Sequence, residues 1–292
     1  MATDSNTISS DLPYIGHNGP VVFLLIDGWG VARGRENNAI RLAKIPNFKK
    51  LVNNYPATIL RSFDLSDSAL YQIIGCGSED NETKTLAAFL AANNIRQLRL
   101  AETEKFALIT NFFDQSETAP DLVEHHLIPS SNSGDENDYK MATEAVVKAL
   151  LKEIKNKKFD FIVSSLANVE SVSHGNDFNK TVKMIEYVDK VIGRIFKAVA
   201  ALGGTLIVSA AHGYAEEVFD LQTELSTKHK SDNPVPFIIA GEKYFGKTIE
   251  GEISGGDLSF INPHADLTSI APTIMKVFGL DLDATMDSKN LI

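Results

Sequence analysis

An α/β fold, with a predominantly parallel sheet flanked by helices, is predicted by three observations. Strand-like apolar runs alternate with helix-like ones along the chain, the order that builds parallel sheets covered by helices. Three of those runs end in polar clusters: residues 21–26 lead into Asp27-Gly28-Trp29-Gly30, residues 159–167 into the segment from Asn168 through Glu170 to His174, and residues 205–210 into Ala211-His212-Gly213. The chain has 292 residues and 43% hydrophobic content, enough for one large domain, which we expect over residues 20–292 in preference to two small ones. Ligands of open parallel sheets lie outside the carboxyl ends of the strands. The three clusters are therefore expected to converge on one site.

The elements follow in order. A helix is predicted from Ala39 to Asn53, with Ile40, Leu42, Ala43 and Leu51 as its apolar face and Pro46 breaking or kinking it. Residues 57–60 read as a short strand and the Ala/Leu-rich stretch 85–93 as a helix. Residues 95–101 alternate in polarity, and 102–113 read as a helix. Polar, acidic stretches at 114–121 and 130–138 read as surface loops around a short strand at 125–129, and a helix over about 140–155 precedes the second major strand. Val182, Ile185, Val188, Ile192, Ile195 and Val199 recur at steps of three and four, which predicts a long helix over 178–201 ended by Gly203-Gly204. A strand at 234–241 and a helix over 267–280 complete the pattern. Residues 78–84 are purely polar and read as a linker; residues 1–19 read as a flexible leader without signal or transit character.

Composition narrows the function classes. Twenty-eight basic against 38 acidic residues give a net charge of −10, which argues against a nucleic-acid partner or an anionic membrane surface. No apolar run approaches the ~18 residues that span a bilayer, so no membrane insertion is expected. The single cysteine, Cys76, cannot form an internal disulfide and suits a reducing compartment, with the cytoplasm as the expected location.

Several blocks in fixed order carry a family resemblance. Asp27-Gly-Trp-Gly30 followed by Asn38-Ala-Ile40, Ala43-Lys44, Pro46-Asn47 and Leu51, then residues 95–106, 159–178, 202–217 and 233–239, and Ile270-Ala-Pro-Thr-Ile-Met275 near the end resemble the cofactor-independent phosphoglycerate mutases of the alkaline phosphatase superfamily. The resemblance implies an alkaline-phosphatase-like domain with two manganese ions, a transiently phosphorylated serine, and an inserted second domain that binds and reorients the phosphoglycerate. Here Gly75-Cys-Gly77 and the 78–84 linker run directly into the block that follows the insertion. The transferase-type insertion is thus expected to be absent.

Site roles carried over from the resemblance are part kept, part lost. Asp27 and His212 match ligands of the second metal, His174 matches a first-metal histidine, and Lys105 matches a lysine on the phosphoryl group. Glu170 replaces the family's acid in Asn-Pro-Asp, and Ala211 replaces the aspartate of Asp-His-Gly. Ungapped counting places Asp67, flanked by Ser66 and Ser68, at the nucleophile; one gap places Ser68 there. Lys230 occupies a metal-histidine position, and a shift of one residue would put His229 there instead. The metal candidates are therefore Asp27, Glu170, His174, His212 and His229, and the catalytic candidates are Lys105 and Ser68. Glu170, His174 and His229 would make a carboxylate and two imidazoles, a set that suits one divalent transition metal. Asp27 and His212 alone make a weak second pair, and a two-ion phosphoryl-transfer centre needs both ions. The expected cofactor is none or one divalent metal, manganese in the family.

Each retained group also has a plain structural explanation: Asp27 capping a turn, His174 and His212 as neutral core histidines, Lys105 as a helix-surface lysine. The expected function is that of a degenerate, inactive relative with a binding, structural or regulatory role and a protein partner or assembly. The alternative is a residual metal-dependent phosphohydrolase acting on a small phosphate ester.

Overall fold

The strand β1 (Val21–Ile26) is buried at every residue and runs through the interior of the sheet. In this computed structural model the described residues are 18–34, 36–61, 73, 85–111, 120–130, 139–173, 177–223, 225–227, 229–281 and 289–292. Residues 1–17 of the expected 1–19 leader, Asp67 and Ser68, Cys76, the 78–84 linker and His174 lie outside them. Along the chain follow α1 (Ala39–Leu42), α2 (Pro46–Asn54), β2 (Ala57–Arg61), α3 (Leu86–Ala92), β3 (Gln97–Glu102), α4 (Thr103–Asn111) and β4 (Val123–Ile128). Then come α5 (Tyr139–Asn156), β5 (Phe161–Leu166), α6 (Asn168–Ser173), α7 (Phe178–Ala200), β6 (Thr205–Ser209), β7 (Val235–Ala240), β8 (Ala265–Asp266) and α8 (Ile270–Val277).

The sheet order is β4-β3-β5-β1-β6-β7-β2-β8. All neighbouring pairs are parallel except those of β7, which runs antiparallel to both β6 and β2. The three strands expected to share a site are adjacent: β1 pairs β5 with Ile26 opposite Leu166, and β6 with Leu25 opposite Ser209. The polar segments that follow therefore leave the sheet side by side. Proline in a strand ordinarily argues for an edge, because it cannot donate to the ladder. β7 carries Pro236 in an interior position because its pairing with β6 stops at Phe237, leaving the proline outside that ladder.

Two stretches gain detail from the structure. The helix predicted over 39–53 is two helices, with Pro46 at the first position of α2 rather than inside a continuous one, where its missing N–H costs nothing. Asn38 caps α1 by accepting from the Arg41 N–H. The stretch 95–101 that alternates in polarity contributes β3, which is buried on both faces, Gln97 and Arg99 included. Inside, the Arg99 guanidinium donates through Nη2 to Gln97 Oε1 at 2.8 Å and the Gln97 amide donates to the Ala87 carbonyl at 2.9 Å.

The long helix α7 covers the sheet as its periodicity predicted, with Met184, Ile185, Val188, Val191, Ile192, Ile195 and Val199 buried. Gly203 follows with φ +68°, and the amides of Gly203 and Gly204 donate to the carbonyls of Ala200 and Val199, closing the helix with the left-handed residue that glycine adopts without strain. On its outer side α7 is tied to α5. Glu144 accepts from both Arg194 nitrogens at 2.8 and 3.0 Å and from the Tyr187 hydroxyl at 2.7 Å. The Arg194 hydrogen bonds, with Tyr187 adding to them against burial, lower Glu144 from 4.5 to about 2. A depressed carboxyl stabilises the fold above its unfolded value, and that contribution disappears as pH falls through the folded value. The pair is partly exposed, so screening keeps the effect modest. In Glu144→Gln, the acid limb of a stability-versus-pH curve is expected to be shallower between about pH 4.5 and 2 than in the parent, as measured by urea midpoints across that range.

Among the described residues, no helix is long and apolar enough to cross a membrane.

Candidate functional site

The turn after β1 is built on two glycines. Gly28 has φ +86°, and a Cβ there would stand 3.0 Å from the backbone of Glu170, so α6 packs directly on the turn. Gly28 also joins the β6 side: its carbonyl accepts from the amides of Tyr214 and Ala215, and the Asp27 carbonyl accepts from the Glu170 amide. A Cβ on Gly30 would fall 2.2 Å from the Glu216 carboxyl. The segments after β1, β5 and β6 are thereby locked against one another, and their side chains meet where the strand order predicted.

Four sequence candidates come together there. Lys105, in the first turn of α4 beyond β3, places its ammonium 2.7 Å from Glu170 Oε2 and 3.3 Å from Asp27 Oδ2. The Ser165 hydroxyl donates to the same Asp27 oxygen at 3.0 Å. His212 Nε2 stands 3.5 Å from Glu170 Oε1, and its Nδ1 stands 3.3 Å from the Gly213 carbonyl. Asp27, Glu170 and His212 are all buried, and the Lys105 side chain is 14% exposed.

Electrostatics follow from that crowding. Burial alone would lower Lys105, but the charges of Asp27 and Glu170 and the hydrogen bonds to both outweigh it and hold the ammonium above its ordinary value. Burial pushes His212 down, Asp27 and Glu170 pull it back only in part, and Lys230 adds to the depression. The imidazole is accordingly neutral at pH 7 and has a single N–H, which can serve Gly213 or Glu170 but not both.

The remaining candidates separate. His229 is exposed, while its neighbour Lys230 acts on His212; the lysine, not the histidine, faces the cluster electrostatically. Ala211 is buried beside His212 and offers only a methyl. His174 and Ser68 lie outside the described residues.

Sequence reasoning missed one buried acid, Glu216. It accepts from the backbone amides of Gly30 at 3.0 Å and Tyr214 at 2.9 Å through Oε2, and from the Asn233 side chain at 3.2 Å and the Ser231 hydroxyl through Oε1. It pins three loops at once. Burial raises its carboxyl above the ordinary value against the pull of these donors. The only signal for it in the sequence was its place four residues after His212 in a strand-end cluster, which does not distinguish it from half-buried Glu217.

Residues 19–282 match the model of the metalloenzyme superfamily. The chain belongs to that superfamily. Among curated members, it is 33% identical over 235 residues to a 2,3-bisphosphoglycerate-independent phosphoglycerate mutase of Clostridioides difficile, covering 80% of this chain and 43% of that protein. A second relative of the same name, from Desulforudis audaxviator, is 35% identical over 212 residues, 72% of this chain and 38% of that protein. The chain spans 38–43% of the length of the curated relatives it matches. The fold is shared with Leishmania mexicana phosphoglycerate mutase (TM-score 0.58, 18% identity, 72% of this chain and 39% of that one). It is also shared with the alkaline phosphatase of the Antarctic bacterium TAB5 (TM-score 0.54, 16% identity, 90% and 99%). The expected phosphoglycerate-mutase-like, alkaline-phosphatase-superfamily fold is thus present.

Metalloenzyme superfamily members use divalent metal, so the donors can be tested for fit. In this chain Asp27 and Glu170 are both engaged by the Lys105 ammonium, and position 211 holds a methyl group. Among the described residues, no three His, Cys, Asp or Glu side chains are grouped to hold an ion. The described donor set does not fit a two-ion centre.

Proposed function

We propose that this chain is a catalytically degenerate member of the metalloenzyme superfamily that acts through binding, as a structural or regulatory subunit with a protein partner. The observation that carries this reading is the double ion pair of Lys105 with Asp27 and Glu170, next to an alanine where the resemblance places a metal-binding carboxylate. Two-ion phosphoryl transfer depends on cations that neutralise the phosphoryl oxygens and activate the nucleophile. Carboxylates already bound to an ammonium, with one of their number replaced by a methyl group, give those cations little to hold.

A second reading, a residual metal-dependent phosphohydrolase acting on a small phosphate ester, is favoured by the convergence of Asp27, Lys105, Glu170 and His212 in one place. The two are separated by phosphate release from p-nitrophenyl phosphate and the phosphoglycerates with added manganese. The degenerate reading expects no release above the metal-only blank. Release that disappears in His212→Ala overturns it in favour of the hydrolase.

A further inference from the structure

We propose that the Lys105 ammonium is the resident cation of this centre: it takes the neutralising position of a divalent ion between Asp27 and Glu170, and the folded state is therefore indifferent to metal. The proposal rests on the degenerate reading above and deepens it from a loss of function to a replacement.

Two buried carboxylates drawn together from the ends of adjacent strands repel each other and lose hydration, a cost that a cation placed between them offsets. Asp27 is fixed there by β1 and Glu170 by α6, whose backbone is hydrogen-bonded to the Asp27 carbonyl. Neither can withdraw without breaking the turn. Lys105 lies within ion-pair distance of both carboxylates, with its side chain 14% exposed.

Ala211 belongs to the same arrangement. One ammonium can be shared by two carboxylates; a third at the end of β6 would add a negative charge that a monovalent cation does not cover. The methyl at 211 keeps the number of acids near what a lysine can serve. Unlike a bound ion, the ammonium is covalently attached and cannot be lost to a chelator.

The test is the thermal midpoint of the full chain in EDTA and in manganese, for the parent and for charge variants. The parent midpoint is expected to be the same in both. A stoichiometric manganese site would raise it by roughly 5 °C at hundredfold excess over Kd, and a parent that falls in EDTA and recovers with manganese overturns the proposal. Lys105→Met, which leaves the two acids without their cation, is expected to lower the midpoint by on the order of 10 °C. In an Asp27→Asn/Glu170→Gln background, where no charge needs neutralising, the same Lys105→Met change is expected to be neutral or stabilising. This comparison stands even if the single variant does not fold, and a loss on the scale expected in the parent overturns the proposal. Manganese bound without turnover defeats this inference and spares the degenerate reading; turnover by a metal-indifferent parent does the reverse.

Discussion

Glu216→Ala is expected to destabilise the fold by about 4 kcal/mol, lowering the thermal midpoint by about 10 °C. The carboxylate is the common acceptor for the amides of Gly30 and Tyr214, the Asn233 side chain and the Ser231 hydroxyl. Truncation leaves these donors facing a cavity 1% exposed to solvent in the parent. Buried donors without acceptors cost about 1–3 kcal/mol each, and less than additively when they share a site. Glu216→Gln is expected to recover part of the loss. An amide oxygen can still serve the two backbone amides, and its nitrogen can face Ser231, whose hydroxyl can turn to accept, but the Asn233 contact is lost. Gly30→Ala should resemble Glu216→Ala, since its Cβ would lie 2.2 Å from the carboxyl carbon. Equal midpoints for Glu216→Ala and the parent would show that the three loops are held by something else.

Asp189→Ala is expected to cost about 3 kcal/mol, read as a lower urea midpoint with little change in slope. The N-terminus of α2 has no side-chain cap of its own, because Ile45 occupies the cap position. Asp189, on α7 and 1% exposed, supplies the cap from another helix: it accepts from the amides of Phe48 at 2.7 Å and Asn47 at 3.2 Å and from the Asn47 side chain at 2.8 Å. A carboxylate at this end also meets the positive end of the helix dipole. Removing it exposes two orphan amides and loosens α2 from α7 together. Asp189→Asn keeps one acceptor and forfeits the charge, so a loss of about half the size is expected. A negligible change in Asp189→Ala would place the anchoring of α2 in its apolar face, Phe48, Leu51 and Val52.

Much of this architecture was legible in one dimension because the relevant signals are local. Predominantly apolar runs of strand length specified β1, β5 and β6, and the recurrence of Val188, Ile192, Ile195 and Val199 specified α7 to within a residue or two. Pro46 marked a helix boundary correctly but not its sense: a proline that breaks one helix and a proline that starts another leave the same trace. The alternation of Gln97, Leu98, Arg99 and Leu100 did not reveal that both faces are buried. The strand lies between β4 and β5, and Arg99 hydrogen-bonds to Gln97 inside. The reversed direction of β7 left no trace either, since strand polarity depends on where the chain re-enters the sheet.

The centre divides in the same way. That Asp27, Glu170 and His212 belong to one site followed from the rule that parallel strands gather their carboxyl-end segments, and Lys105 was added by the family resemblance. Which of them touch did not. A lysine three residues past a strand reads as surface charge until the sheet order β3-β5-β1 brings its ammonium to two acids from other segments. His229 and Lys230 are adjacent in sequence, and only the folded loop decides which of them acts on His212. The chain by itself determined a parallel α/β frame with three polar strand ends and a missing acid at 211, because periodicity and residue chemistry are written locally. The tertiary structure alone decided that a lysine closes the gap between Asp27 and Glu170 and that Glu216 holds the loops around them, because ion pairs and buried hydrogen bonds depend on distances between segments far apart in the chain.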